Sequence, residues 1–217
     1  MDVRRVSLLA GARSASGRVV IVDVFRAFTT AAFAVAAGAR EIVLVADHER
    51  ALAMKREDPS LFLTGEIGGR PIPGFDAGNS PSAIERMDLT GRRVVQRTSS
   101  GTQGVAAARA ADEILLGSLV IRAATARYLA RADGEVTVVA MGSSAQEPSE
   151  EDELGAAYFV AALRGEPDPP PLILRGTDWP DSFPRRDAEL ALQVDRFSFA
   201  LPVQREGDLL VARPVCV

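Results

Sequence analysis

The sequence predicts an α/β protein with a three-layer α/β/α architecture built on a mostly parallel sheet. Short runs of β-branched residues alternate with alanine-rich stretches at the spacing of βαβ units. One run, RVVIVDV at 18–24, is almost wholly apolar, as a central strand covered on both faces must be. Glycine and proline clusters fall between these runs rather than inside them.

Taken in order, residues 3–9 and 18–24 read as strands. TTAAFAVAAG at 29–38 reads as a helix closed by Gly38, a residue suited to the left-handed position after a helix end. Residues 41–46 form a strand, and Asp47 caps a helix that runs to Glu57 and stops at Asp58-Pro59. A buried strand follows at 61–64, then a long Gly/Pro-rich loop over 65–81 and a short helix over 82–87. Strands at 92–96, 113–116 and 135–141 alternate with helices at 101–111, 120–131 and 149–164. Residues 165–184, with GEPDPPP and DWPDSFP, form a proline-rich connection. They read either as a segment ordered against the surface or as a sub-boundary near 165–185 before a small C-terminal subdomain, and Trp179 within them as a packing anchor or a lid. A helix at 187–193 and a final edge strand at 208–211 complete a single unit over 1–217.

Composition excludes several chemistries. Among 217 residues there is one histidine (His48), one cysteine (Cys216) and one lysine (Lys55). A structural zinc site needs about four His/Cys ligands, and a Ser-His-Asp triad has only His48 to call on. The net charge of −4, without a basic stripe interleaved with aromatics, argues against a nucleic-acid partner. No apolar run reaches the roughly 18 residues of a membrane span, and the first residues lack a leader pattern. A lone cysteine fits a cytoplasmic setting. What remains is chemistry by carboxylates, hydroxyls, arginines and backbone amides.

Those groups gather at strand-to-loop junctions, where open parallel sheets bind ligands. Asp23 ends the apolar strand, where an unpaired carboxylate is costly, and Arg26, Thr29 and Thr30 open the next helix. Glu66 lies in Gly65-Glu66-Ile67-Gly68-Gly69 after the strand at 61–64. The loop PGFDAGNSP (73–81) holds Asp76, Asn79 and Ser80, and Thr98-Ser99-Ser100-Gly101-Thr102 precedes a helix as an anion nest without a P-loop lysine. Glu150 to Asp152 open the helix after Gly142-Ser143-Ser144; by themselves they complement the helix dipole. As a set, the hard oxygen donors Asp23, Glu66, Asp76 and Glu151 or Asp152 suit Mg²⁺ beside a phosphate-gripping arginine.

The segments DVFRAFTT, GEIGG, GFDAGNSP, TSSGT and EDELGAAYF, in this order, resemble the 2-phosphosulfolactate phosphatase family, clearly from about residue 19 to 163. The resemblance implies an α/β/α fold, a Mg²⁺-dependent phosphatase converting 2-phospho-3-sulfolactate to 3-sulfolactate and phosphate on the way to coenzyme M, and a homodimer. It implies catalytic roles for Asp23, Arg26, Glu66 and Asp76. Substrate contacts fall on Thr29, Asn79, Ser80, Thr98, Gly101 and Thr102, to which the anion-nest reading adds Ser99 and Ser100, and metal contacts on Asp23, Glu66, Asp76, Glu151 and Asp152. The family tends to carry Leu and Ser where this chain has Phe25 and Phe28, and an Asn at Ser100; Phe28 and Ser100 are expected near the substrate.

The leading expectation is therefore a Mg²⁺-dependent phosphomonoesterase for a small anionic 2-hydroxy-acid phosphate. Attack by water and attack by an aspartate both stay open, although Phe25 two residues after Asp23 breaks the DxD pattern of aspartyl-phosphate enzymes. The alternatives are a non-catalytic anion- or phosphate-binding protein on the same fold, a phosphatase for a different small phosphoester, and a lyase using the same metal site.

Overall fold

A computed structural model describes residues 1–174 and 183–217, so Trp179 lies outside the described residues. The chain runs β1 (Asp2–Ser7), α1 (Leu8–Ser14), β2 (Gly17–Val22), α2 (Ala27–Ala36), β3 (Glu41–Leu44), α3 (His48–Glu57), β4 (Phe62–Ile67), β5 (Arg70–Pro71) and β6 (Ala77–Gly78). It continues through α4 (Pro81–Ile84), β7 (Arg93–Arg97), α5 (Gly101–Ala107), β8 (Ala111–Gly117), a 3₁₀ turn (Leu119–Ile121), α6 (Arg122–Leu129), β9 (Glu135–Ala140) and α7 (Glu150–Arg164). After the connection come α8 (Arg185–Ala191), β10 (Phe199–Ala200), β11 (Pro202–Glu206), β12 (Leu209–Ala212) and β13 (Val215–Cys216).

The main sheet has the order β1-β9-β2-β8-β11-β12-β3-β7-β4-β5, with β6 beside β4. It consists of two parallel blocks, β1-β9-β2-β8 and β3-β7-β4, with parallel registers such as Val20 opposite Val138 and Ile42 opposite Val94. The hairpin β11–β12 joins the blocks, pairing antiparallel with β8 on one side and β3 on the other. The strand expected at the sheet's edge near 208–211 is therefore an interior one. A part-buried ion cluster ties it there: Glu41 on β3 accepts hydrogen bonds from Arg93 on β7 and from Arg213 just after β12. No local pattern announces a contact across 172 residues.

Period-two alternation sorts the strand side chains onto two faces. Val19 and Ile21 point into a core shared with Phe28 and Phe33 of α2, Ile84 of α4 and Val105 of α5. Val20 and Val22 point to the other face, against Leu129 of α6 and Phe159 of α7. On the second block, Val43, Leu63 and Val95 face α3 through Ala51. Helices thus cover both faces, giving the three layers of the α/β fold.

Further boundaries depart from expectation, among them the helix expected to run to 111, which ends at Ala107 so that β8 begins at Ala111. The first strand stops at Ser7, because Leu8 adopts a positive φ of 67° that no strand continues through, and residues 8–14 turn into α1. The strand expected at 61–64 extends through Glu66 to Ile67, so Glu66 is held within a strand rather than on a loop. Gly65 makes that possible: a Cβ there would lie 2.0 Å from the Arg97 carbonyl oxygen.

Candidate active site

The carboxyl ends of β2, β4, β7 and β9 open onto a cleft of about 430 Å³, lined among others by Asp23, Arg26, Glu66, Asn79, Ser99, Ser100, Gly142 to Ser144, Glu151 and Phe183. Its floor is assembled from carboxylates that tie strand ends together. Asp23, one residue past β2, takes the Ala27 N–H at 2.9 Å on one oxygen and the Gly101 N–H at 2.8 Å on the other. Asp152, in the first turn of α7, accepts from Val24 N–H at 2.7 Å and Gly142 N–H at 2.8 Å, joining the ends of β2 and β9. Glu66 accepts from Ser99 N–H, from Ser99 Oγ at 3.1 Å and from Gly69 N–H at 2.6 Å, joining β4 to β7.

These bonds change the meaning of the hydroxyl-rich segment before α5. The Ser99 and Gly101 amides expected to form an anion nest are already occupied by Glu66 and Asp23. Thr98 and Thr102 face each other, the Thr98 N–H donating to Thr102 Oγ1 and the Thr102 N–H to Thr98 Oγ1. They pin the helix start instead of lining the cleft. Ser100 does line it, but its Oγ donates to the Gly142 carbonyl at 2.7 Å and accepts from Ala145 N–H. Gly101 is required by proximity: a Cβ there would meet Asp23 Oδ2, Ala27 Cβ and Phe28 Cζ, each at 2.9 Å.

Burial dominates the electrostatics of the floor, and like charge adds to it. Burial pushes the Asp23 carboxyl up to about 7, against the lowering by its two amide bonds, and the neighbouring Glu66 and Glu151 charges raise it further. Asp152 is likewise raised, first by burial and then by Asp23 and Glu151. Among the described residues, no three His, Cys, Asp or Glu side chains are grouped closely enough to hold a metal ion by themselves. The donor set nevertheless suits Mg²⁺, which binds through one or two carboxylates and fills its shell with water and phosphate oxygens. A cation among Asp23, Glu66 and Glu151 would relieve the repulsion that raises Asp23.

Arg26 forms one wall. Its Nη1 donates to Asp187 at 2.8 Å, with Arg26 8% and Asp187 0% exposed, and its guanidinium lies 4.6 Å from the centre of the Phe183 ring. Phe183 also meets Phe25 edge-on at 5.5 Å. Of the two phenylalanines in DVFRAFTT, it is Phe25 that lines the cleft, while Phe28 is fully buried in the core behind Gly101. Asn79 lines the cleft with a buried Oδ1 that has no hydrogen-bond partner.

Three residues singled out from the sequence sit elsewhere. Asp76 accepts from Lys55 Nζ at 2.7 Å and from the Leu63 N–H at 2.7 Å, outside the cleft lining, where it fastens the loop to α3 and β4. Thr29 Oγ1 is bonded to the Val24 carbonyl and Ser118 Oγ beneath α2. Ser80 caps α4 and donates to Asp187 at 2.8 Å. Conversely, Phe183 and Asp187 escaped the sequence reading. An acid in a first helical turn looks like an ordinary dipole complement, and nothing near Asp187 reports that Arg26 lies against it.

With this geometry in place, the comparisons with known proteins agree on one family. Residues 6–178 match the model of 2-phosphosulpholactate phosphatase. The chain is 38% identical over 187 residues to a probable 2-phosphosulfolactate phosphatase of Thermus thermophilus, covering 76% of this chain and 78% of that one. Proteins of the same description match from Carboxydothermus hydrogenoformans, 38% identical over 67% of this chain and 60% of theirs, and from Deinococcus radiodurans, 42% identical over 65% and 59%. The matches thus span about 60% of the length of these last two relatives. On the strength of the family match and the Thermus relative together, the chain belongs to the 2-phosphosulpholactate phosphatase family.

Proposed function

We propose that residues 1–217 act as one α/β unit that releases phosphate from a small 2-hydroxy-acid phosphate, with 2-phosphosulfolactate, the substrate in its relatives' name, as first candidate. The observation that carries this reading is the convergence of Asp23, Glu66 and Glu151 with the buried Arg26 on one cleft at the carboxyl ends of parallel strands. A phosphate dianion would be repelled by three carboxylates alone. One or two of Asp23, Glu66 and Glu151, completed by water and phosphate oxygens, would therefore hold Mg²⁺, which when bound would neutralise phosphoryl oxygens and acidify water.

The chain's own residues supply the remaining parts. Arg26, fixed by Asp187 and Phe183, offers its remaining N–H groups to phosphoryl oxygens as a planar donor. Asn79 presents an amide whose buried oxygen still lacks a donor, suited to a substrate hydroxyl or an ordered water. The Ser143 and Ser144 hydroxyls, exposed at the rim, face the part of the substrate away from the phosphate. Asp23, the most deeply set of the three carboxylates, is rigidly aimed by its two amide donors, which suits both ligation and proton handling. No helix among the described residues is long and apolar enough to cross a membrane, and we read the protein as cytoplasmic.

Phosphate release from 2-phosphosulfolactate, phospholactate and phosphoglycolate, measured with EDTA and again after Mg²⁺ is restored, tests the reading. Release that EDTA abolishes and Mg²⁺ recovers is expected. Absence of release from all three, with inorganic phosphate still binding, would instead identify a phosphate-binding protein.

A further inference from the structure

Arg26 is usually the kind of residue credited with phosphate binding by itself, yet the structure shows it gripped from a part of the chain beyond the family-matched span. That match ends at residue 178, and both groups that hold Arg26 come later: Phe183 and Asp187. Asp187 has no exposed surface, and its carboxylate is fully subscribed. One oxygen faces Arg26 Nη1 at 2.8 Å. The other takes Ser80 Oγ at 2.8 Å, Ser82 Oγ at 2.6 Å and the Ser82 N–H at 3.0 Å. A carboxylate with that many donors cannot swing, so the arginine bonded to it cannot either. The Phe183 ring closes a second side of the guanidinium at 4.6 Å.

From this geometry we propose that Asp187 is a positioning residue for the phosphate-binding arginine, and that the segment carrying Phe183 and Asp187 completes the cleft. A guanidinium held on one edge and one face keeps its other edge at a fixed angle to the cleft, so phosphate finds its donors already oriented. The same arrangement ties the GNSP turn to the cleft, because Ser80 and Ser82 reach Arg26 only through Asp187. The serine of that motif, Ser80, is thus part of the arginine's mount, one step removed from substrate. This inference rests on the phosphatase reading for the identity of the anion, but its core, that Asp187 orients Arg26 for an oxyanion, is testable with inorganic phosphate alone.

The test is calorimetric titration of inorganic phosphate, with Mg²⁺ present, into the wild-type protein, Asp187→Asn, Arg26→Met and the double variant, each checked for cooperative melting. Asp187→Asn keeps the shape and most acceptors but removes the charge facing Arg26. It is expected to bind phosphate about tenfold more weakly. In the Arg26→Met background the same change should alter affinity by less than about twofold, since there is no guanidinium left to orient. A purely structural Asp187 would lower the melting temperature and leave the affinity of the folded protein unchanged, or shift it equally in both backgrounds; either result overturns the proposal. Phe183→Leu removes the second support without leaving a buried charge unpaired, and should weaken phosphate binding about two- to fivefold. That arm decides the question if Asp187→Asn does not fold, and unchanged affinity there would overturn the proposal. Wild-type phosphate binding without turnover would remove the phosphatase reading and leave this inference standing. No phosphate binding at all would remove both.

Discussion

Replacing Asp23 with asparagine should stabilise the metal-free protein at alkaline pH while destroying its activity. Asp23 is buried, and its carboxyl is pushed from an ordinary value of 3.8 up to about 7 by desolvation and by the charges of Glu66 and Glu151. In the unfolded chain that carboxyl ionises near its ordinary value. Between about pH 4 and 7 the folded state therefore holds a proton the unfolded state has released, so stability falls as pH rises through this window. The full penalty above pH 7 is roughly 4 kcal/mol, an upper bound because Asp23 and the likewise raised Asp152 share one buried site. Asparagine removes the penalty but can accept only one of the two amide bonds now made to Ala27 and Gly101, leaving an N–H facing an amide NH₂ at a cost of about 1–3 kcal/mol. The net is a gain of about 1–3 kcal/mol at pH 8 that shrinks to zero or reverses near pH 5, where wild-type Asp23 is already neutral. Thermal melts of both proteins in EDTA from pH 5 to 8 measure this directly. Mg²⁺ should raise the wild-type melting temperature at pH 8 and leave that of Asp23→Asn almost unmoved. A difference between the two proteins that does not vary with pH would refute the account of the cleft as a site of frustrated charge.

Other perturbations probe the remaining parts. Gly101→Ala places a Cβ 2.9 Å from Asp23, Ala27 and Phe28; the start of α5 must shift, with a destabilisation of about 1–3 kcal/mol in urea melts and a clear fall in kcat. Lys55→Met leaves Asp76 unpaired at the far side of its loop, so melts should show a loss of about 1 kcal/mol or less while kcat/KM stays within twofold; a large activity loss would bring Asp76 back into the active site. Burial alone would raise Glu41, but hydrogen bonds from Arg93 and Arg213 hold it below the usual carboxylate range. The stability it contributes is present above its unfolded value near 4.5 and disappears as pH falls through the lower folded value. The melting-temperature deficit of Glu41→Gln should accordingly be largest at neutral pH and narrow in acid.

How much of this was legible from the residues depends on how local each cause is. The apolar run ending in Asp23, the helix closed by Gly38 and the Asp47 cap each depend on neighbours within a few positions, and each appears where the pattern places it. The hairpin β11–β12 does not, because a strand with polar flanks looks the same at an edge as between two blocks joined by a buried Glu41. The acidic and hydroxyl motifs were visible, but their division of labour was not. Asp76 and Thr98 carry the same chemistry as Asp23 and Ser99; only distance shows that Asp76 fastens a loop and Thr98 a helix start, while the second pair lines the cleft.

By itself, the sequence determined the alternating α/β order, the scarcity of nitrogen and sulfur ligands, and therefore an oxygen-based chemistry at strand ends. These follow from composition and short-range periodicity, which the chain carries wherever it folds. Tertiary structure decided which carboxylates repel one another, which amides are already taken, and that Arg26 is held by Asp187 from 161 residues away. Those outcomes depend on desolvation and distance, and neither exists until the sheet has brought the strand ends together.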